Sequence, residues 1–300
     1  MSWRTVVITN RAKMDLRMNH MVVRSMDNIT KIHLSEIQMV MIETMQVSIT
    51  SALLSTLSEM KIPVIFCDAE HNPVSELLPF YGCHDCSKKV IDQIKWKQKF
   101  QDKLWKEIVK EKILNQKKLL EKTNTDNYFI KFLETYYDQV VDGDPTNREG
   151  VAAKVYFAGL FGTEFIRGSD DVINAALNYG YQILLSSINM EIKISGYLTE
   201  LGIHHKSQHN FFNLGSDLIE PLRPIVDEIV YKQMAGELEF NTEHKRVLQE
   251  MLNSYIKING RNETLNNAIR VYVNSIFKSL EKEDIKEIKW VEVWVIDIWD

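Results

Sequence analysis

Three hundred residues suit one large domain or two smaller ones, and a hydrophobic content of 45% excludes a disordered chain. A net charge of −5 excludes a uniformly basic nucleic-acid binder but leaves a localised basic surface open. Three cysteines are too few for a disulfide framework, Met1-Ser2-Trp3-Arg4-Thr5 has no signal-peptide pattern, and no uncharged apolar run reaches about 18 residues, so a soluble cytoplasmic protein without membrane association is expected.

Residues 1–78 read as a small β-rich domain. Short β-branched runs at 5–9, 21–24, 29–33, 36–42, 47–49 and 63–67 are broken by polar turns, and a short helix fits 50–60. Strands at this spacing suggest a small sandwich or barrel-like sheet with one inserted helix. Residues 79–90 read as a linker, with Pro79, Gly82 and the C-x-x-C of Cys83-His84-Asp85-Cys86. A structural zinc needs four ligands, and Cys67 and His84 would complete that set only by coincidence. A thioredoxin-type pair would open a helix in a βαβ unit, which the pattern lacks, so the pair has no assigned role.

From residue 91 the hydrophobic period becomes helical. Ile91, Ile94, Trp105, Ile108, Val109, Ile113 and Leu120 form an apolar stripe with lysines between them. Further helices are expected over 128–140, 146–163, 169–194, 217–235, 242–257 and 262–281, where Gly and Pro are scarce. Between residues 88 and 122, twelve lysines stand against five acids, a net of +7. That run is either an ordinary solvated helix face or a DNA-facing surface. Residues 288–300 form a Trp-rich tail of strand character, which either pairs internally or docks on a partner by strand addition. The expected fold class is α+β: a small N-terminal β-rich domain followed by a larger all-helical C-terminal domain over 91–287.

Two glutamates and a histidine suit Mg²⁺ or Mn²⁺ beside a phosphodiester: Glu149 in Asn147-Arg148-Glu149-Gly150, His205 in Leu201-Gly202-Ile203-His204-His205, and Glu220 in Asp217-Leu218-Ile219-Glu220-Pro221. Each has a plainer reading. Thr146-x-x-Glu149 is a capping box and Asp217-x-x-Glu220 an analogous helix start. His204, His205 and His209 share one segment, and spacing does not choose among them.

The surrounding wording is ordered. Asn147-Arg148-Glu149-Gly150-x-Ala152-Ala153 is followed by Asn174-Ala175-Ala176-Leu177-Asn178-Tyr179-Gly180-Tyr181, then Leu201-Gly202-x-x-His205, then Asp217-Leu218-x-Glu220-Pro221-x-Arg223-Pro224-x-x-Asp227. With Trp3-Arg4-Thr5-Val6-Val7 and His33-Leu34-Ser35-Glu36 near the start, this set resembles the CRISPR-associated integrase and endonuclease of spacer acquisition, and is most similar to versions from type II systems. The resemblance covers almost the whole chain and implies the same β-then-helical division. It implies that Glu149, His205 and Glu220 are the catalytic metal ligands, His205 being the third residue after Gly202, and that Asp217 is a second acid near the site. It implies a DNA integrase using Mg²⁺ or Mn²⁺, which joins the 3′-hydroxyl ends of a short spacer DNA to a repeat by transesterification.

The implied partners are double-stranded DNA (spacer precursor and repeat), a second copy of the chain in a homodimer, and a small ferredoxin-like companion protein. In type II systems the effector nuclease and a DNA-end-binding accessory protein join them, in a prokaryotic cytoplasm. Arg148, Lys154, Lys206 and Arg223 lie close in sequence to the implied ligands and are candidate DNA contacts, unless they pair with nearby acids. A metal-dependent nuclease acting on branched DNA in repair, and a non-catalytic DNA-binding subunit, are the rival functions. The C-x-x-C pair and the Trp-rich tail are not hallmarks of the family.

Overall fold

A computed structural model describes residues 4–26, 28–69, 71–80, 83–234 and 236–292. The chain divides into two compact units: Met1–His84 with Lys193–Gly196, and Asp85–Ile192 with Tyr197–Asp300.

The first unit contains β1 (Arg4–Ile8), β2 (Ala12–Arg17), β3 (His20–Arg24), β4 (Ile29–His33), β5 (Ile37–Ile42), β6 (Val47–Ile49), α1 (Ser51–Glu59), β7 (Val64–Cys67) and β8 (Pro73–Leu77). They form two four-stranded sheets, ordered β1-β5-β7-β8 and β4-β3-β2-β6. Strand β5 runs parallel to both neighbours and is buried along its whole length, which is why it reads as a continuous apolar run. Thr50 caps α1 by accepting the Leu53 N–H. Both sheets and α1 enclose one core containing Met14, Met21, Leu34, Val40, Leu53 and Leu57.

Two of these strands, β2 and β8, were not expected from sequence. Strand β2 alternates inward Ala12 and Met14 with charged Lys13, Asp15 and Arg17; the charges hide a period of two, and Asp15 accepts from Arg24 of β3 at 2.6 Å. The β2–β3 turn passes through Met18 and Asn19, both at positive φ (45° and 61°), as a tight hairpin requires.

The second unit contains α2 (Cys86–Ile94), α3 (Gln98–Lys122), α4 (Asn127–Gln139), α5 (Arg148–Phe161), α6 (Val172–Ile194), α7 (Asn213–Leu218), α8 (Arg223–Met234), α9 (Thr242–Glu250), β9 (Tyr255–Ile258), β10 (Arg261–Thr264), α10 (Leu265–Lys282) and β11 (Val291–Glu292). Helix α3 packs against α4, α5, α8 and a 3-10 turn at Glu220–Leu222. Its inward face includes Leu104, Trp105, Ile108, Val109, Ile113 and Leu119, each 2% exposed or less. Every such aliphatic side chain contributes about 1.5–3 kcal/mol of burial. Among the described residues, no helix is long and apolar enough to cross a membrane.

Four expectations are corrected here. The linker expected over 79–90 is already helical from Cys86, and its cysteines are free. The helix expected over 217–235 begins at Asn213 and is interrupted at Glu220–Leu222, where Pro221 has no N–H to continue the ladder. The C-terminal unit is mostly rather than wholly helical: between α9 and α10 the chain turns back at Asn259-Gly260, both at positive φ (52° and 73°), pairing β9 with β10. Finally, β11 pairs antiparallel with β9, so the start of the tail is used inside the chain; residues 293–300 lie outside the described residues.

Candidate active site

Glu149 enters the site from the first turn of α5. Asn147 is the N-cap in a left-handed conformation and accepts the Gly150 N–H at 3.2 Å. Asp144 accepts the N–H groups of Arg148 and Glu149 at 2.8 and 2.9 Å. The orphan donors of the helix start are therefore met by Asn147 and Asp144. The expected Thr146 capping box is not formed, and the Glu149 carboxylate is left for other work. Its Oε1 accepts from Lys112 Nζ.

Glu220 opens the 3-10 turn between α7 and α8, so it caps no helix through Asp217. Its Oε2 accepts from the same Lys112 Nζ, and its Oε1 accepts from Arg223 Nε at 2.9 Å. Burial pushes the Glu220 carboxyl up, but Arg223 and Lys112 outweigh it and hold the value down at about 2. The two carboxylates thus meet on one cation. Lys112 projects from α3 and its side chain is 6% exposed.

His205 is placed by Asp217. The Asp217 carboxylate is fully buried and accepts the N–H groups of Ile203, His204 and His205 at 2.6, 3.0 and 3.1 Å. It also pairs with His205 Nδ1 at 2.6 Å. That bond raises the His205 pKa against the opposing effect of burial. With Nδ1–H donated to a carboxylate, Nε2 is the nitrogen left for a metal, an arrangement common behind metal-bound histidines.

Gly202 explains the wording of this turn. A Cβ there would lie 2.4 Å from the His205 carbonyl oxygen and 2.8 Å from Asp217 Oδ2. Gly202→Ala is expected to cost about 1–3 kcal/mol of stability and to loosen the turn that carries His205. Denaturant unfolding checks this; unchanged stability would show that the turn tolerates a Cβ at 202.

The other histidines lie differently. His204 stacks on Trp105 at 4.2 Å between centroids, and burial lowers its pKa. His209 is exposed, with its backbone N–H on Ser207 Oγ. Of the candidate DNA contacts, Arg223 belongs to the site through Glu220 and also lies over the Tyr181 ring at 4.5 Å. Arg148 adjoins Glu149 with its guanidinium 5.8 Å from the Tyr136 ring centroid. Lys154 is exposed further along α5, and Lys206 donates to Gln98 Oε1 at 2.8 Å.

Among the described residues, six of the twelve lysines between 88 and 122 form ion pairs: Lys89, Lys97, Lys106, Lys112, Lys117 and Lys122. Their acids come largely from other elements, so the net of +7 along the sequence overstates the basic surface.

Beneath the site, Tyr156 and Tyr181 hydroxyls both donate to Asp227 of α8. Burial pushes the Asp227 carboxyl up from 3.8 to about 6. A raised acid favours folding while protonated, so its contribution is present below pH 3.8 and is lost as pH rises through 6. The difference corresponds to about 3 kcal/mol. The stability of Asp227→Asn relative to the unaltered chain is therefore expected to rise by about that amount from pH 4 to pH 8 in urea unfolding. A pH-independent difference would contradict the assignment.

Among the described residues, no three of His, Cys, Asp and Glu stand together ready to hold a metal ion. The glutamates converge on the Lys112 ammonium instead, which acts as a stand-in cation. The donor set fits a divalent ion: two carboxylates already within reach of one positive centre, and an imidazole held through Nδ1 by a buried carboxylate with Nε2 left over.

Lys112 escaped sequence reading because it sits in a lysine run. A signal was present: it lies four residues after Ile108, three after Val109 and seven after Trp105, inside the apolar stripe. Asp144 gave no comparable signal.

A protein family described as CRISPR associated protein Cas1 matches residues 5–268. The CRISPR-associated endonuclease Cas1 of Neisseria meningitidis serogroup C (strain 8013) is 33% identical over 296 residues, covering 98% of this chain and 97% of its own. A casposase bound to integration product has a similar fold, with a TM-score of 0.77 and 19% identity over 95% of this chain and 92% of that one. A Cas6-RT-Cas1–Cas2 complex contains a chain with a TM-score of 0.75 and 19% identity; the match covers 97% of this chain and 36% of that longer one.

Proposed function

The chain belongs to the CRISPR associated protein Cas1 family, and from that premise we propose that it is a metal-dependent DNA integrase and endonuclease of CRISPR adaptation. It joins the 3′-hydroxyl ends of a short spacer DNA to the strands of a repeat. The observation that carries this reading is the meeting of Glu149 and Glu220 on one cation in a chain whose His205 is fixed through Nδ1 by Asp217.

In the proposed reaction the 3′-hydroxyl oxygen attacks a repeat phosphorus, a new P–O bond forms, and the repeat's own 3′-oxygen leaves. Such an in-line displacement needs positioning and charge neutralisation more than a protein nucleophile. Glu149, Glu220 and His205 Nε2 would hold Mg²⁺ or Mn²⁺. When bound, that ion supplies Lewis-acid stabilisation of the non-bridging oxygens and orients the attacking hydroxyl. Asp217 keeps the imidazole turned and the 203–205 backbone folded under it. Arg223 holds Glu220, and Arg148, beside Glu149, would contact an adjoining phosphate.

The complex named Cas6-RT-Cas1–Cas2 supports assembly with a small companion protein, and the casposase bound to integration product supports DNA joining over simple cleavage. The proposed assembly is a homodimer that takes double-stranded DNA together with that companion. The test incubates the full chain and its companion with a labelled duplex, a repeat-bearing plasmid and Mn²⁺. Covalently joined products that vanish with a chelator and with 3′-dideoxy ends are expected. Products that persist with dideoxy ends, or cleavage without joining, would favour a repair nuclease.

A further inference from the structure

Lys112 is not explained by folding alone. It interrupts the apolar stripe of α3, its side chain is 6% exposed, and its ammonium donates to Glu149 and Glu220 at once. Arg223 occupies the remaining Glu220 oxygen. These four side chains form a closed set of two anions and two cations. A divalent ion using the same carboxylate oxygens would face the Lys112 ammonium within a few ångströms and leave the cluster with two uncompensated positive charges. Like charges at that separation in a mostly buried site repel strongly. The open side of the cluster lies toward Glu149 and His205, whose side chains are 27% and 44% exposed. A flexible four-carbon stem lets the ammonium move in that direction.

We propose that Lys112 is a resident counter-cation, which holds Glu149 and Glu220 in place in the metal-free chain and must leave their oxygens for a divalent ion to bind. The inference rests on the metal-site reading above and adds to it an internal competitor. Lys112 thereby preserves the site and sets the ion concentration at which it loads.

Calorimetric titration of Mn²⁺ into the full chain, with melting temperatures in chelator and in Mn²⁺, tests this. Lys112→Met is expected to bind Mn²⁺ about tenfold more tightly or better than the unaltered chain, because no ammonium has to be displaced. It is also expected to melt lower in chelator and to regain most of that loss in Mn²⁺. Lys112→Gln, which keeps a donor to the carboxylates without the charge, tightens Mn²⁺ binding in the same direction and stands in if the methionine variant does not fold. Equal or weaker Mn²⁺ affinity in these variants, with His205-dependent binding intact in the unaltered chain, overturns the counter-cation role alone. Failure of the unaltered chain to bind Mn²⁺, or binding unaffected by His205→Ala, overturns the metal-site reading itself.

Discussion

Glu149→Ala and His205→Ala are each expected to reduce strand joining by about a thousandfold or more, while the chain keeps its fold. Loss of one proposed metal ligand would remove several kcal/mol of transition-state stabilisation, and each 1.36 kcal/mol is a factor of ten. The fold survives because neither side chain carries the local structure. Helix α5 keeps its caps, since Asn147 and Asp144 hold its first N–H groups. The 203–205 turn keeps its three backbone bonds to Asp217 without the imidazole. Glu220→Ala is a poorer probe, because it leaves buried Lys112 and half-buried Arg223 without their shared carboxylate. Breaking such a buried pair costs about 3–5 kcal/mol of stability. Single-turnover joining beside thermal melting separates the effects. Joining at the unaltered rate in His205→Ala would remove His205 from the ligand set.

Asp217→Ala is expected to lose both stability and activity. One fully buried carboxylate accepts three backbone N–H groups and the His205 ring, and alanine leaves all four donors without it. Hydrogen bonds to a charged acceptor are worth about 1.5–3 kcal/mol each. The loss should be at least about 3 kcal/mol even if the turn partly finds water. Joining falls further than stability explains, by about 10–100-fold, because His205 loses the group that orients it. Asp217→Asn is the finer probe: it keeps the volume and one oxygen acceptor but replaces the other oxygen with a donor. Its joining should recover in part at high Mn²⁺, since the ligand is misplaced rather than missing. Urea unfolding and a Mn²⁺ titration of the joining rate check both variants. Unchanged stability in Asp217→Ala would show that the turn is held some other way.

The division into a β-rich beginning and a helical remainder was legible because hydrophobic period changes near residue 91, and periodicity reports directly on which face is buried. Smaller elements were less visible. Strand β2 hid behind its outward charges. The β9–β10 hairpin was announced by Asn259-Gly260, yet a helical reading on either side absorbed its short strands. Both capping-box readings failed for one reason: the local pattern matches a cap but does not say which residue begins the helix. Asp144 and Asn147 do that work for α5, and Asp217 lies at the end of α7 rather than at the start of α8.

The candidate site was marked in the sequence mainly by ordered wording. Spacing left three histidines equal, because what singles out His205 is a carboxylate twelve residues later, folded beneath its own turn. Lys112 was missed for a related reason. In a run of lysines the inward one is marked only by its place in the apolar stripe, and its acidic partners come from residues 37 and 108 positions away.

The central claim is that Glu149, Glu220 and His205 hold one divalent ion in place of the Lys112 ammonium. Anomalous diffraction at the manganese edge, from crystals of the full chain grown with Mn²⁺, tests it most directly. The account predicts one strong peak about 2.0–2.3 Å from a Glu149 oxygen, a Glu220 oxygen and His205 Nε2, with Lys112 turned away. A Lys112 ammonium still seated between the two glutamates, with manganese bound elsewhere under conditions that support joining, would contradict it.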